Sequence, residues 1–158
     1  MVKNNLHVIR QPFENEIDDL TSLAMKSKSY WGYDYTFMRA CVEELTVTGE
    51  HLNHHTIFVA ESKKRLIGFY ILQEINPDSI EMTFMFVEPK YIGSGLGKLL
   101  FNHATAQAKT GGYKNIIVQS DPFACAFYER MGCKKIGRKP SGSIPGRDLP
   151  LYRYRIPA

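Results

Sequence analysis

The chain holds little that would staple it, anchor it or make it strongly charged, and each shortage removes a class of function. Only three cysteines occur, Cys41, Cys125 and Cys133. An odd count without Cys-x-x-Cys spacing supports neither a disulfide framework nor a zinc site, and predicts a reducing compartment. No segment approaches the ~18 apolar residues needed to cross a bilayer, and residues 1–10 contain no apolar run of signal-peptide length. The expectation is a cytoplasmic protein with no membrane partner. Charge is also modest: the formal net charge of +4 comes from Lys and Arg scattered along the sequence. That argues for no nucleic-acid partner and suits an acidic small ligand such as a nucleotide cofactor. Repeats and linkers are missing, so the 158 residues read as one domain, 1–158, long enough to hide about two-thirds of the unfolded surface.

What is present alternates between helical and extended periodicity. Leu6, Val8 and Ile9 read as a short strand ended by Pro12, and Phe13, Ile17, Leu20, Leu23 and Ala24 predict a helix over 14–26. Tyr30, Trp31, Tyr33 and Tyr35 crowd around Gly32. Phe37, Cys41, Val42 and Leu45 then predict a second helix, ended by polar residues and Gly49. Runs 56–60 and 66–75, joined by a charged turn, predict a hairpin, and Asn76, Pro77 and Asp78 turn the chain into a strand over 80–87. Later, Leu96, Leu99, Leu100, Ala104 and Ala108 share one helical face closed by Gly111 and Gly112. Residues 115–119 suit a buried strand, and Asp121 with Pro122 opens a short helix to Met131. The last two strands are expected at 134–138 and 151–156, separated by a loop rich in Gly, Ser and Pro.

The most informative stretch is the glycine-spaced turn Gly93, Ser94, Gly95, Leu96, Gly97, followed by Lys98 at a helix start. Glycine permits positive φ and leaves backbone N–H groups uncovered, and a helix N-terminus favours an anion. A phosphate or pyrophosphate is the predicted ligand. A nucleotide-triphosphate hydrolase is excluded, because the turn lacks Gly-Lys-Ser/Thr spacing and a metal-binding acid.

This order of elements resembles the GNAT superfamily of acyl-CoA-dependent N-acetyltransferases over nearly the whole chain. Val87, Glu88, Pro89, Lys90, Tyr91, Ile92 and the glycine turn through Lys98 look like the family's acetyl-CoA pyrophosphate loop. Asp121, Pro122, Ala126, Phe127, Tyr128, Glu129, Met131 and Gly132 are similar to its late helix, where a tyrosine at the place of Tyr128 stands near the cofactor sulfur. The resemblance implies an α/β fold with a mixed, mostly antiparallel central sheet of about seven strands and helices on both faces. It also implies acetyl-CoA as cofactor, met by Met85, Phe86 and Val87, by Ile92, Gly93, Ser94, Gly95, Leu96, Gly97 and Lys98, and by Asp121 and Phe127. Two positions depart from the family pattern. Ile92 stands where Arg or Gln is usual, and Asp121 where Asn is frequent; a carboxylate cannot donate an amide hydrogen bond.

An amine with a pKa near 10 is mostly ammonium at neutral pH, and presenting its lone pair costs about 4 kcal/mol unless a base takes the proton. Glu81 is the candidate base. It lies on the strand leading to the glycine turn, at the spacing from Pro89 that the resembling family often uses for its catalytic glutamate. Strict alternation would put it on one face with Thr83, Met85 and Val87, and Glu88 on the other. Tyr128 is the candidate acid for the departing thiolate. The acceptor is expected to be a small-molecule or peptide amine, walled by Tyr30, Trp31 and Tyr33, with Arg147 of the Ser141-to-Arg147 loop suited to an acidic group on it. His51, His54 and His55 read as a solvated loop rather than a metal site, and Cys125 and Cys133 as small buried residues. The alternative is an acyl-CoA-binding sensor of the same fold without turnover. The oligomeric state is expected to be monomer or homodimer.

Overall fold

The computed structural model describes residues 7–158, so Leu6 of the expected first strand lies outside the described residues. Along the chain the elements are β1 (Val8–Arg10), α1 (Ile17–Ser29), α2 (Tyr35–Cys41), α3 (Gly49–His54), β2 (Thr56–Ser62), β3 (Arg65–Asn76), β4 (Ser79–Val87), α4 (Leu96–Thr110), β5 (Asn115–Gln119), α5 (Cys125–Arg130), β6 (Lys134–Pro140) and β7 (Asp148–Arg155). The described strands form one seven-stranded sheet in the order β1-β2-β3-β4-β5-β7-β6. Neighbours are antiparallel except β4 and β5. The mixed, mostly antiparallel sheet with helices on both faces is therefore as expected.

Two apolar layers sandwich the sheet. Leu20, Leu23 and Ala24 of α1 pack with Met38, Val59, Phe69 and Phe84 on one face. On the other, Leu96, Leu100, Phe101 and Ala104 of α4 pack with Tyr70, Leu72, Ile116 and Val118. Each helix contributes residues at three- and four-residue spacing, the stripe that lets a helix bury one side on a sheet, at about 2 kcal/mol per buried leucine.

Local boundaries shift for identifiable reasons. Helical turns start at Glu14, but regular α1 runs three residues further than expected, to Ser29, after a 3₁₀ turn over Glu14–Glu16. The second helix ends at Cys41, well short of Leu45. The expected solvated histidine loop is instead the short helix α3, opened by Thr48, whose N–H donates to His51 Nδ1 at 3.0 Å. Leu52 turns inward against the α1 layer, and the His51 ring meets Phe84 edge-on, which gives this polar segment a reason to coil. The final loop is shorter than predicted because Lys139 and Pro140 still pair with Leu149 and Asp148.

The consequential departure is in β4. Ile71 pairs with Phe84 but Leu72 with Met82, so Thr83 is an extra residue, a β-bulge. The phase of alternation flips there: Ile80 and Met82 join the α4 layer, and so do Met85 and Val87, whereas Phe84 and Phe86 join the α1 layer. Glu81 is thus not on the face of Met85 and Val87, as strict alternation requires, but on the face of Phe84 and Phe86. Glu88 shares that side, where its carboxylate accepts from Lys26 Nζ of α1 at 2.7 Å. The parallel pairing of β4 with β5 runs only from Ser79 with Asn115 to Glu81 with Ile117. Beyond it the two strands part.

Candidate active site

The parting of β4 and β5 opens a cleft of about 640 Å³. That is within the roughly 300–1,000 Å³ usual for small-molecule sites. Its far end is the glycine turn. Gly93 and Gly95 have φ of +83° and +93°, and a Cβ on either would meet nothing within 4 Å, so conformation alone demands glycine there. Ser94 closes the turn: its hydroxyl donates to the Tyr91 carbonyl at 2.5 Å and accepts from Leu96 N–H at 3.3 Å. The N–H groups of Gly93, Gly95, Gly97 and Lys98 have no partner among the described residues. Four unused donors at the start of a fifteen-residue helix form an anion cradle. Gly97 serves packing as well, since a Cβ there would come 3.0 Å from Phe127. An anion held there would meet backbone N–H groups, and Ile92 offers it no polar side chain.

Glu81 and Tyr128 both face the cleft. Glu81 is the last residue of β4 paired to β5, at the apex of the opening. Tyr128 comes from α5, where Phe127 and Phe101 pack against its ring. Its hydroxyl makes no hydrogen bond among the described residues. Burial, with smaller contributions from Cys133, Asp121 and Cys125, raises its pKa, so the phenol keeps its proton. Cys133 is buried and its thiol is pushed up to about 12 by that burial, as befits a packing residue.

A polar cluster is centred on Asp121, which lines the cleft. Its carboxylate caps the turn at Phe123 N–H (2.9 Å) and accepts from Lys28 Nζ (2.7 Å) and Tyr33 OH (2.9 Å). Burial alone would raise the Asp121 pKa, but the Lys28 ammonium, the Phe123 N–H and the Tyr33 hydroxyl outweigh it and hold the group below its ordinary value. The same environment pushes the Tyr33 hydroxyl up to about 12, by burial first and then by the Asp121 carboxylate. Arg147 donates to Tyr33 OH at 2.8 Å, approaches Asp121 at 4.0 Å and lies over the Tyr33 and Phe37 rings. Ser143, from the same loop, donates to the Glu44 carboxylate. Trp31 stacks on Phe123 with centroids 5.2 Å apart.

Measured against expectation, Met85, Phe86, Val87, Ile92, Gly93, Gly95, Gly97, Lys98, Asp121 and Phe127 line the cleft with the two candidate catalytic residues. Ser94 and Leu96 do not: one shapes the turn and the other is core. Of the expected acceptor wall only Trp31 lines the cleft. Tyr33 and Arg147 stand behind it as supports, and Tyr30 is exposed with its ring edge-on to Trp31. Lys28, Glu44 and Phe123 line it without having been singled out in the sequence. Phe123 follows the recognised Asp-Pro pair and was the most accessible of the three; Lys28 and Glu44 carry no local signal.

A parallel strand pair that parts beside a glycine turn with unused N–H groups, and a cleft lined by a carboxylate and a protonated phenol, are features suited to acyl transfer from a nucleotide-linked thioester. Residues 17–133 match the acetyltransferase (GNAT) family, and the chain belongs to that family; it is an acyltransferase that depends on acetyl-CoA. It is 29% identical over 120 residues to the peptidyl-lysine N-acetyltransferase YjaB of Salmonella typhimurium, covering 75% of this chain and 76% of that protein. It is 26% identical over 147 residues to the 5-NmdU N-acetyltransferase of Pseudomonas phage PaMx11, covering 92% and 97%. The fold also superposes on the PaiA N-acetyltransferase of Thermoplasma acidophilum, solved in complex with coenzyme A, with a TM-score of 0.77 at 19% identity, covering 94% of this chain and 98% of that one.

Proposed function

We propose that the protein carries the acetyl group of acetyl-CoA directly to a primary amine on a peptide or small molecule, with Glu81 as base and Tyr128 as acid. The observation that supports this reading is that Glu81 and Tyr128 line one cleft, with Glu81 at the last β4 position paired to β5. Glu81 takes the ammonium proton of the acceptor, directly or through a water. Beyond Glu81 the β5-side edge of β4 has no strand partner among the described residues, so main-chain N–H groups on that edge are available to the thioester oxygen as charge builds there. The Tyr128 hydroxyl donates to the sulfur as the carbon–sulfur bond breaks. The pyrophosphate rests on the N–H groups of Gly93, Gly95, Gly97 and Lys98. No acyl-enzyme is required, and Cys133, with its raised pKa, is unsuited to form one. The names of the two curated relatives, one acting on peptidyl-lysine and one on 5-NmdU, support an amine as acceptor.

The test is release of free thiol from acetyl-CoA over a panel of amines, with the best acceptor carried into variants. Glu81→Gln should slow turnover by roughly 10² and alter the low-pH limb of the rate profile, while coenzyme A affinity by calorimetry stays level. Unchanged turnover in this variant would remove Glu81 as base.

A further inference from the structure

Among the described residues no helix packs over the β5, β7 and β6 part of one sheet face, and that part is basic. On β5 and β7 the residues Ile116, Val118, Tyr152 and Tyr154 point into or against the α4 layer, so Asn115, Ile117, Arg153 and Arg155 present the opposite face. Ile117 and Leu151 belong to neither apolar layer. In register, Glu81 pairs with Ile117, Ile117 with Arg153, and Arg153 with Lys134 of β6; one row below, Asn115 pairs with Arg155. Arg155 and Lys134 are exposed and Arg153 half-buried. None of the three has an ion-pair partner among the described residues. Arg153 and Arg155 also border a shallow cavity of about 500 Å³ with Lys109 and Lys114.

Lysines on an edge strand such as β6 can serve simply to discourage pairing between copies. That explanation does not reach Arg153 and Arg155, because β7 lies inside the sheet, between β5 and β6. Arg153 in the row of the candidate base and Arg155 one row below, both without an ion-pair partner among the described residues, offer two cations on an interior strand to an anionic counterpart. A second copy of this chain would bring like charge to like, so the counterpart is another molecule.

We infer that this basic face docks an acidic peptide segment of a protein acceptor whose lysine amine enters the cleft at Glu81. The inference rests on the function proposed above and names its acceptor class. Arg153 lies two strand spacings from Glu81, roughly 10 Å, a span covered by a lysine side chain and about one extended residue. Arg153 and Arg155 are two residues apart, roughly 7 Å, the same pitch as alternate carboxylates on an extended peptide. A peptide brings the alternate carboxylates and the lysine amine on one extended chain lying across this face.

The experiment measures binding separately from turnover. Fluorescence anisotropy at low salt, with coenzyme A present, compares a lysine peptide flanked by alternate glutamates with versions flanked by glutamine or by arginine, and a single-stranded oligonucleotide. The glutamate peptide should bind at least tenfold tighter than the glutamine peptide. The double reversal Lys134→Glu with Arg153→Glu should invert the order of the acidic and arginine-flanked peptides. If the double variant does not fold, Lys134→Glu alone, at an exposed edge position, should weaken the acidic peptide about threefold. Equal binding of the glutamate and glutamine peptides overturns the inference, and so does a preference that survives the reversals. Tighter oligonucleotide binding that the reversals abolish overturns it in favour of nucleic acid. Failure of the proposed function reads out elsewhere, as absence of thiol release with every amine.

Discussion

The two ends of the cleft are built from different materials. The cofactor end is made of backbone: positive-φ glycines at 93 and 95, unused N–H groups at a helix start, and the unpaired edge of β4. The other end, proposed for the acceptor although Asp121 was expected to meet the cofactor, is made of side chains tied across long stretches of sequence. Lys28 and Asp121 are 93 residues apart, Tyr33 and Asp121 88, and Tyr33 and Arg147 114. A backbone cradle should tolerate side-chain change at positions such as 92, whereas a side-chain cluster should fail when one member is removed.

The sharpest way to break this contrast is Asp121→Ala. The Lys28 and Asp121 side chains are only 14% and 15% exposed, so the variant leaves an ammonium nearly buried without a partner and removes a cap. A loss of about 3 kcal/mol of stability is expected in a urea titration, together with a rise in acceptor KM. A loss under about 1 kcal/mol would mean that the cluster is solvated and the contrast overstated. Asp121→Asn keeps the cap and removes the charge. Because the folded pKa of Asp121 is depressed, its charge stabilises the fold at pH values above its unfolded pKa, about 3.9, and this contribution is lost as pH falls through the lower folded value. The stability gap between the parent and Asp121→Asn should therefore be constant near neutrality and close in acid.

At the cofactor end, Gly95→Val meets no steric obstacle but must adopt φ near +93°, and coenzyme A affinity should fall by about 1–3 kcal/mol in calorimetry. Full affinity in a folded variant would show that the turn is not the anion site. A smaller effect separates the ends further. Arg147→Ala removes the donor to Tyr33 and should raise acceptor KM about tenfold, or about 1.4 kcal/mol, without changing coenzyme A affinity. The smallest effect belongs to Ile92→Ala, for which coenzyme A affinity should stay within about twofold if the cradle is truly backbone.

Local signals were enough for the cofactor end because its chemistry is local. Glycines at alternate positions before an amphipathic helix imply both the turn and its free donors, and Asp121 with Pro122 marks the start of the late helical turn that carries Tyr128. The helix over 49–54 escaped detection because its reasons are a histidine accepting from Thr48 N–H and a leucine meeting a core layer from elsewhere. The face of Glu81 was misassigned for a related reason. A bulge is a property of a strand pair, set by how β3 and β4 fit together, and period-two counting along β4 alone does not contain it.

By itself the sequence determined the class of fold and, through its two motifs, the cofactor, and it singled out the glycine turn and the pair Glu81 and Tyr128 that are proposed for the site. These depend on residue type at short spacing, through φ preference, capping and amphipathic periodicity. Tertiary structure alone decided where β4 leaves β5, that Arg147 supports Tyr33 instead of lining the cleft, and that cations scattered along the chain gather beside Glu81. Arg153 and Lys134 are 19 positions apart in sequence yet directly opposed in register, and only strand pairing brings such charges together.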